Sequence, residues 1–168
     1  MGKICGFTGY RPEKLPYGSN ERHPDCLRLK EELLRQAVRA AKDGMTHFIC
    51  GGALGADTYA AEAVLILQKE CPGLILEIAV PFIGQERKWR REAQVRYHAI
   101  LDSAQRITYL SDSPTIENFY KRNRYIVDRA SRLVAVFDGK RGGTMQTVRY
   151  AQKCGREIVR ISPDGILL

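Results

Sequence analysis

The sequence predicts a Rossmann-like, doubly wound α/β fold: a mainly parallel sheet of about six strands with helices on both faces. Six short apolar segments alternate with five segments of helical periodicity along the 168 residues, which is the pattern of parallel strands joined by crossover helices. Residues 133–137 contain no polar side chain, as in a strand that is buried on both faces. The length fits one domain, residues 1–168, with no linker or internal repeat.

Each predicted strand is a mostly apolar run that stops at a glycine, a proline or a polar turn. The strands are expected at 3–8, 46–50, 74–80, 106–110, 133–137 and 157–161. The helices, with apolar residues three and four positions apart, are expected at 27–41, 54–70, 89–101, 116–130 and 144–153. The second helix is apolar almost all round. That is more apolar surface than one contact with a sheet uses, so a homodimer is a further expectation.

The charge balance narrows the class of partner. Lys and Arg number 27 against 19 Asp and Glu, a net charge of +8, which favours nucleotide phosphates, nucleic acid or an acidic membrane surface. No apolar run approaches the ~20 residues that span a bilayer, and no signal peptide is recognisable, so we expect no membrane partner. Five scattered cysteines without a Cys-x-x-Cys pair favour the reducing cytoplasm. The three histidines lack the spacing of metal ligands, so neither a metal nor a cofactor is predicted.

The unusual residues follow the predicted strands. In open α/β sheets, ligands bind outside the carboxyl ends of the strands, and parallel strands bring those ends to one rim. The predicted ligand-binding residues are Thr8, Gly9, Arg11, Gly51, Gly52, Gly55, Ala56, Phe82, Asn123, Gly142, Gly143 and Thr144. The turns 51–57 and 142–144 each lead into a helix, where backbone N–H groups and the helix dipole favour a phosphate.

Charged residues near these turns suggest further roles. Arg11 and Arg122 would neutralise a phosphate, and Asp57 would bind a ribose hydroxyl, act as a general base, or cap its own helix. Neither turn matches a P-loop or the dinucleotide-binding glycine pattern. Two interpretations stay open for the segment 122–124, a solvated basic face or side chains that reach the ligand. Trp89 either packs in the core or stacks on a base.

Five stretches in order resemble the YpsA-like proteins of the SLOG superfamily. They are 7–12 (FTGYRP), 51–57 (GGALGAD), 81–89 with its Pro-Phe, Glu86 and Trp89, 122–128 (RNRYIVD), and 142–151 with its Gly-Gly-Thr. The resemblance runs from about residue 3 to 161. It implies a Rossmann-like fold that binds or senses a nucleotide or nucleotide-derived ligand, such as a nucleoside phosphate or an ADP-ribose-like molecule.

Two related groups imply alternative functions. The Lonely Guy phosphoribohydrolases cleave the base from a nucleoside 5′-monophosphate, and the stretch around their catalytic arginine is similar to 122–126 here. At the positions of their glycine motif, however, this chain has Met145 where those enzymes have a glycine and Arg149 where they have the catalytic glutamate. An arginine cannot stabilise an oxocarbenium-like centre. A hydrolase would therefore use Asp57 or Glu86 as its carboxylate, together with Arg122.

The second related group is the DNA-processing protein DprA, which binds single-stranded DNA. Its core has a stretch similar to residues 122–124, and the charge of +8 fits this alternative. Against it, the aromatic residues of a base-stacking surface are sparse near the rim, where only Tyr10, Phe82 and Trp89 are found.

Overall fold

The computed structural model describes residues 3–168 and confirms the predicted alternation of strands and helices. The strands are β1 (Lys3–Gly9), β2 (Met45–Cys50), β3 (Ile75–Val80), β4 (Arg106–Tyr109), β5 (Arg132–Val136) and β6 (Glu157–Ile161). The helices are α1 (Pro24–Lys42), α2 (Ala56–Gln68), α3 (Arg91–Ser103), α4 (Ile116–Arg129) and α5 (Gly143–Lys153). A short 3₁₀ turn, Pro12–Lys14, lies in the segment after β1.

All six strands form one parallel sheet in the order β4-β3-β2-β1-β5-β6. The chain moves outward from β1 to β4, then returns to the other side of β1 to add β5 and β6. The order therefore reverses between β1 and β5. In doubly wound sheets this reversal opens a crevice at the carboxyl ends of the two strands, and ligands bind there.

The helices form two layers. Helix α2 packs between α1 and α3, whereas α4 packs against α5, as right-handed crossovers in opposite directions require. Eight residues of α2 are buried: Ala56, Asp57, Tyr59, Ala60, Ala61, Ala63, Val64 and Leu67. The apolar surface on which the homodimer prediction rests is thus largely covered by helices of the same chain.

Two predicted helix starts were wrong. Helix α2 begins at Ala56 rather than Leu54, because Gly55 has a left-handed backbone with φ 84° that a continuing helix does not allow. Helix α3 begins at Arg91, and Trp89 precedes it in a turn whose Trp89 N–H donates to the carbonyl of Glu86 at 2.9 Å. Trp89 therefore lies in the loop after β3 rather than on a helix face.

Residues 3–168 include neither a membrane-spanning helix nor a metal-binding cluster. Every helix in this range is too short or too polar to span a bilayer. No three His, Cys, Asp or Glu side chains come close enough together to hold a metal ion.

Candidate ligand-binding site at the topological switch point

A cavity of about 290 Å³ lies where the strand order reverses, and we call it the switch-point cavity. Its lining comes from the carboxyl end of β1 and the loop that follows, from the start of α2, from one side of α4 and from the first residues of α5. Of the residues predicted from the sequence it brings together Thr8, Gly9, Arg11, Asp57, Arg122, Asn123, Gly143 and Thr144. The prediction that separate loops meet at one rim therefore holds for these positions.

Tyr10 ties the two strands at the switch point together. Its N–H donates to the carbonyl of Val136 at 3.0 Å, and its hydroxyl donates to the carboxylate of Asp138, which follows β5. Burial, then the bond to Asp138, raises the pKa of Tyr10, so the phenol stays a neutral donor. The same bond lowers the pKa of Asp138. Asp138 thus has a structural role, because it accepts the hydrogen bond that fixes Tyr10 in the cavity lining.

Arg122 is buried beside the cavity although it is a charged residue on a helix. Only 5% of it is exposed. Its Nη1 donates to the carbonyl of Gly51, and its Nε donates to Oδ1 of Asn123 at 2.8 Å. A Cβ on Gly51 would collide with Nη1 and with Oδ2 of Asp57, so a larger residue there would displace these side chains. Nη2 has no hydrogen-bond partner within residues 3–168 and is free for a ligand.

The sequence left two interpretations open for the segment 122–124, a solvated basic face or side chains that reach the ligand. The structure supports a different one for each arginine. Arg122 is buried and lines the cavity, together with the half-buried Asn123. Arg124 is exposed and lies over the ring of Tyr150, 5.1 Å from its centroid. The solvated-face interpretation is correct for Arg124 and wrong for Arg122.

Asp57 is the buried counter-charge of Arg122. Its Oδ2 lies 3.9 Å from Nη1 and accepts the N–H of Ala53 at 3.2 Å. Burial raises the pKa of Asp57, and the positive charge of Arg122 opposes that rise. Burial likewise lowers the pKa of Arg122, and Asp57 opposes it. Each charge therefore favours the ionised form of the other. Oδ1 of Asp57 has no donor among the described residues and remains available to a hydroxyl group.

The glycine turn at 51–57 serves packing more than ligand binding. The N–H of Ala53 is used by Asp57, and the N–H of Ala56 donates to the carbonyl of Tyr10 at 3.0 Å. A Cβ on Gly55 would lie 2.6 Å from that carbonyl. Two N–H groups expected to bind phosphate are thus already satisfied. Gly51, Gly52, Gly55 and Ala56 position Arg122 and α2 but do not line the cavity.

The turn before α5 is different. Gly143 and Thr144 line the cavity, and α5 has no side-chain cap and no acidic residue in its first turn. The hydroxyl of Thr144, a residue only 9% exposed, has no partner in the described chain, and neither does that of Thr8. The first N–H groups of a helix have no intrahelical partner, so this end of α5 presents donors to the cavity.

The sequence matches the YspA SLOG family model, named YpsA, over residues 5–162. The protein belongs to the YpsA family. A UPF0398 protein of Bacillus cereus and one of Bacillus thuringiensis are each 31% identical to it over 160 residues, which cover 93% of this chain and 85% of theirs.

Two solved DprA structures resemble the fold. DprA of Streptococcus pneumoniae superposes with a TM-score of 0.61 at 17% identity, covering 95% of this chain and 50% of that one. DprA of Helicobacter pylori, described for its binding of single-stranded DNA, gives a TM-score of 0.62 at 21% identity and coverages of 95% and 65%. This YpsA-family chain thus spans half to two thirds of the DprA chains and shares their Rossmann-like fold.

Three further predicted residues, besides those of the turn 51–57, lie outside the switch-point cavity of this YpsA-family protein. Glu86 is half-buried, with Oε1 3.6 Å from Nε2 of His98. The ring of Phe82 packs edge-to-face on Phe119, at 5.6 Å between centroids, behind the lining. Gly142 has φ 151° and is the residue immediately before α5; a Cβ there would collide with Nζ of Lys14.

Sequence reasoning missed several lining residues. They are Glu13, Lys14, Ala53, Ile116, Phe119 and Tyr120, and Tyr10 was noted only as an aromatic near the rim. Two of them carried a signal. Lys14 follows Arg11 by three residues in the 3₁₀ turn, and Phe119 precedes Arg122 by three on α4, which places both pairs on one side of a helical turn.

Proposed function

We propose that this protein binds a nucleoside phosphate, or an ADP-ribose-like ligand, in the switch-point cavity, with a phosphate between Arg122 and the start of α5. The observation that carries the proposal is the buried guanidinium of Arg122, whose Nη2 is unpaired within the described chain at the edge of the cavity. A buried charge is costly unless it is paired. The loose contact with Asp57 at 3.9 Å leaves room for an anionic ligand.

The surrounding groups support a phosphate at this position. The N-terminus of α5 adds a partial positive charge, and the hydroxyls of Thr8 and Thr144 add hydrogen-bond donors. Arg11 and Lys14 are exposed at the mouth of the cavity and attract an anion from solution. Oδ1 of Asp57 suits a ribose hydroxyl.

Thermal stability measured with a ligand panel tests the proposal, since a ligand that binds only the folded state raises the melting temperature. The panel is AMP, ADP, ADP-ribose and inorganic phosphate. At least one nucleotide is expected to stabilise the protein, and Thr144→Val is expected to weaken its binding roughly fivefold to tenfold by removing one hydrogen bond. Thr46→Val, an exposed threonine on β2, is the matched control. No shift with any ligand at millimolar concentration would contradict the proposal.

A base-releasing hydrolase is the alternative that Asp57 favours, because Asp57 is the buried carboxylate in the lining and Glu86 lies elsewhere. Chromatography of the same nucleotide samples decides between the two. Free base released by the wild type and lost in Asp57→Asn favours hydrolysis. Intact nucleotide favours binding alone.

A second candidate is single-stranded DNA binding, favoured by the exposed side chains around the cavity. Arg11, Lys14 and Arg124 are exposed, as are Ile116 (72%) and Tyr120 (46%) at the start of α4. Cations with aromatic and apolar side chains between them suit a strand whose bases stack as its phosphates are neutralised. The likeness to the Helicobacter pylori protein adds support.

Salt dependence tests this candidate. If oligothymidine binds here, log affinity is expected to fall linearly with log salt, by about 0.7 for each neutralised phosphate. The double variant Arg11→Ala, Arg124→Ala is then expected to reduce the slope by roughly 1 to 1.5. Arg39→Ala, Lys42→Ala removes two exposed charges near the far end of α1 and is the control. Equal slopes for both double variants would argue against a DNA site at the cavity.

A further inference from the structure

A narrow cavity of about 190 Å³ adjoins the switch-point cavity and shares Arg11, the exposed Glu13, Ala53 and Phe119 with it. Its other lining residues include Leu54, Gln85 and Trp89. Trp89 is half-buried and packs edge-to-face on Tyr97, at 5.2 Å between centroids, so its ring is held in place. Aromatic and apolar walls beside a proposed phosphate site suit a flat, uncharged ring.

Gln85 supplies one polar group with a defined direction. Its Nε2 donates to the carbonyl of Gly52 at 3.3 Å and to the hydroxyl of Tyr97 at 3.2 Å. Because a carbonyl can only accept, the amide nitrogen rather than the oxygen must face Gly52. Oε1 of Gln85 then has no donor within residues 3–168. It is an acceptor ready for an N–H group of a ligand.

Arg11 lies at the junction of the two cavities. Its guanidinium stacks over the ring of Phe119, 4.8 Å from the centroid, and it lines both spaces. A ligand that extends from Arg122 to Trp89 therefore passes Arg11. Such a ligand needs a negatively charged group at the Arg122 end and a flat, uncharged ring at the Trp89 end. A nucleotide has both.

A larger cavity of about 730 Å³ is also lined by Trp89. Its half-buried charged side chains, Arg96 and Glu21, are already engaged, whereas Glu13, Arg90 and Glu92 in its lining are exposed. Arg96 there pairs with Glu21 at 2.6 Å and with Glu62 at 2.5 Å. The bond from Arg96 lowers the pKa of Glu21 to about 2, so this carboxylate remains charged in the wall. The narrow cavity, with its unpaired acceptor, is the better receptor for a base.

We infer that the narrow cavity is the base subsite of the same ligand, an inference that rests on the proposed function. The base lies against Trp89, and an amino group of the base donates to Oε1 of Gln85. The ligand class is therefore a nucleoside phosphate whose base carries an exocyclic amino group, such as adenine. Hypoxanthine, which has an oxygen at that position, would meet the acceptor with another acceptor.

Calorimetric titration with AMP, IMP and ribose 5-phosphate tests the base subsite, because ribose 5-phosphate has the phosphate and sugar but no base. AMP is expected to bind at least ~10-fold more tightly than ribose 5-phosphate, as stacking of one base implies. Trp89→Leu is expected to weaken AMP binding ~10-fold and to leave ribose 5-phosphate within twofold. IMP is expected to bind ~5-fold or more weakly than AMP in the wild type, and equally in Gln85→Leu.

Tyr109→Leu is the matched control, an aromatic residue exposed on the edge strand β4, and it is expected to change neither affinity. Gln85→Leu alone decides the question if Trp89→Leu does not fold. Equal affinities for AMP and ribose 5-phosphate, or equal losses of both in Trp89→Leu, would overturn the base subsite and leave the phosphate site standing. Failure of all three ligands would overturn the base subsite, and the proposed function would fall with it if ADP and ADP-ribose also left the melting temperature unchanged. Binding of oligothymidine alone would replace both with the DNA candidate.

Discussion

Arg122→Ala is expected to lower the free energy of unfolding by about 3–5 kcal/mol, the cost of leaving a buried charge without its partner. The carboxylate of Asp57 and the carbonyl of Gly51 would both lose the guanidinium. Urea unfolding at neutral pH, followed by circular dichroism, measures the loss. Any ligand detected with the panel should also lose most of its affinity, because the same guanidinium is the proposed phosphate contact.

The double variant Arg122→Ala, Asp57→Asn separates the buried pair from simple loss of packing. Removing the second charge is expected to recover about 1–3 kcal/mol relative to Arg122→Ala alone, since contacting residues are coupled by that amount. Arg124→Ala, an exposed arginine on the same helix, is the control and should cost about 1 kcal/mol or less. The single variant Asp57→Asn completes the cycle. If the double variant loses the sum of the two single losses, Arg122 and Asp57 are not coupled and the description of the pair is wrong.

Glu77→Gln is expected to destabilise the protein by about 3 kcal/mol at pH 7. Glu77 is fully buried on β3. His47 donates to its Oε2 at 2.6 Å, and its Oε1 accepts from Thr108 at 2.7 Å and from Tyr125 at 2.5 Å. Burial by itself would raise the pKa of Glu77, but these hydrogen bonds outweigh it and lower the pKa to about 2. The ionised carboxylate joins β2, β4 and α4.

The pH dependence follows from the direction of this shift. The pKa in the folded state, about 2, lies below the ordinary value of 4.5. The stabilisation is therefore complete above about pH 4.5 and is lost as the pH falls towards 2. Other carboxylates with lowered pKa, such as Glu21, add to the acid sensitivity of the wild type. The diagnostic quantity is thus the difference between wild type and Glu77→Gln, which should shrink between pH 4.5 and 2.

Urea midpoints at pH 7 and pH 3 measure that difference. Glu31→Gln is the matched control, because the side chain of Glu31 is 68% exposed and exposed ion pairs contribute little. A Glu77→Gln variant as stable as the wild type at pH 7, or a difference that does not change with pH, would refute the role given to this cluster.

The fold was predictable because each strand and helix has its own local pattern. Five fully apolar residues at 133–137 and the three- and four-residue spacing in 27–41 are short-range signals. Where prediction erred, a tertiary contact decided the boundary. Gly55 adopts its left-handed conformation where α2 meets the carbonyl of Tyr10, and nothing in the spacing of apolar residues signals that contact.

The candidate site was predictable in its place but not in its composition. The rule that ligands bind at the carboxyl ends of parallel strands brought Thr8, Asp57, Arg122 and Thr144 to one rim. It could not show which glycine turn offers free N–H groups. In turn 51–57 the N–H of Ala53 donates to Asp57 and that of Ala56 donates to the carbonyl of Tyr10, whereas α5 begins at the cavity without a side-chain cap. These contacts form only in the folded chain.

The sequence by itself determined the family, the order of strands and helices, and the rim on which charged and glycine residues gather, since each depends on local pattern and chain direction. Only the tertiary structure decided the place of the switch point, between β1 and β5, and the burial of Arg122 against the carbonyl of Gly51. It also decided the position of Trp89 and Gln85 beside Arg11. Those relations join residues roughly 70 to 130 positions apart, and the energy of bringing them together is set by burial and by hydrogen bonds that no local pattern contains.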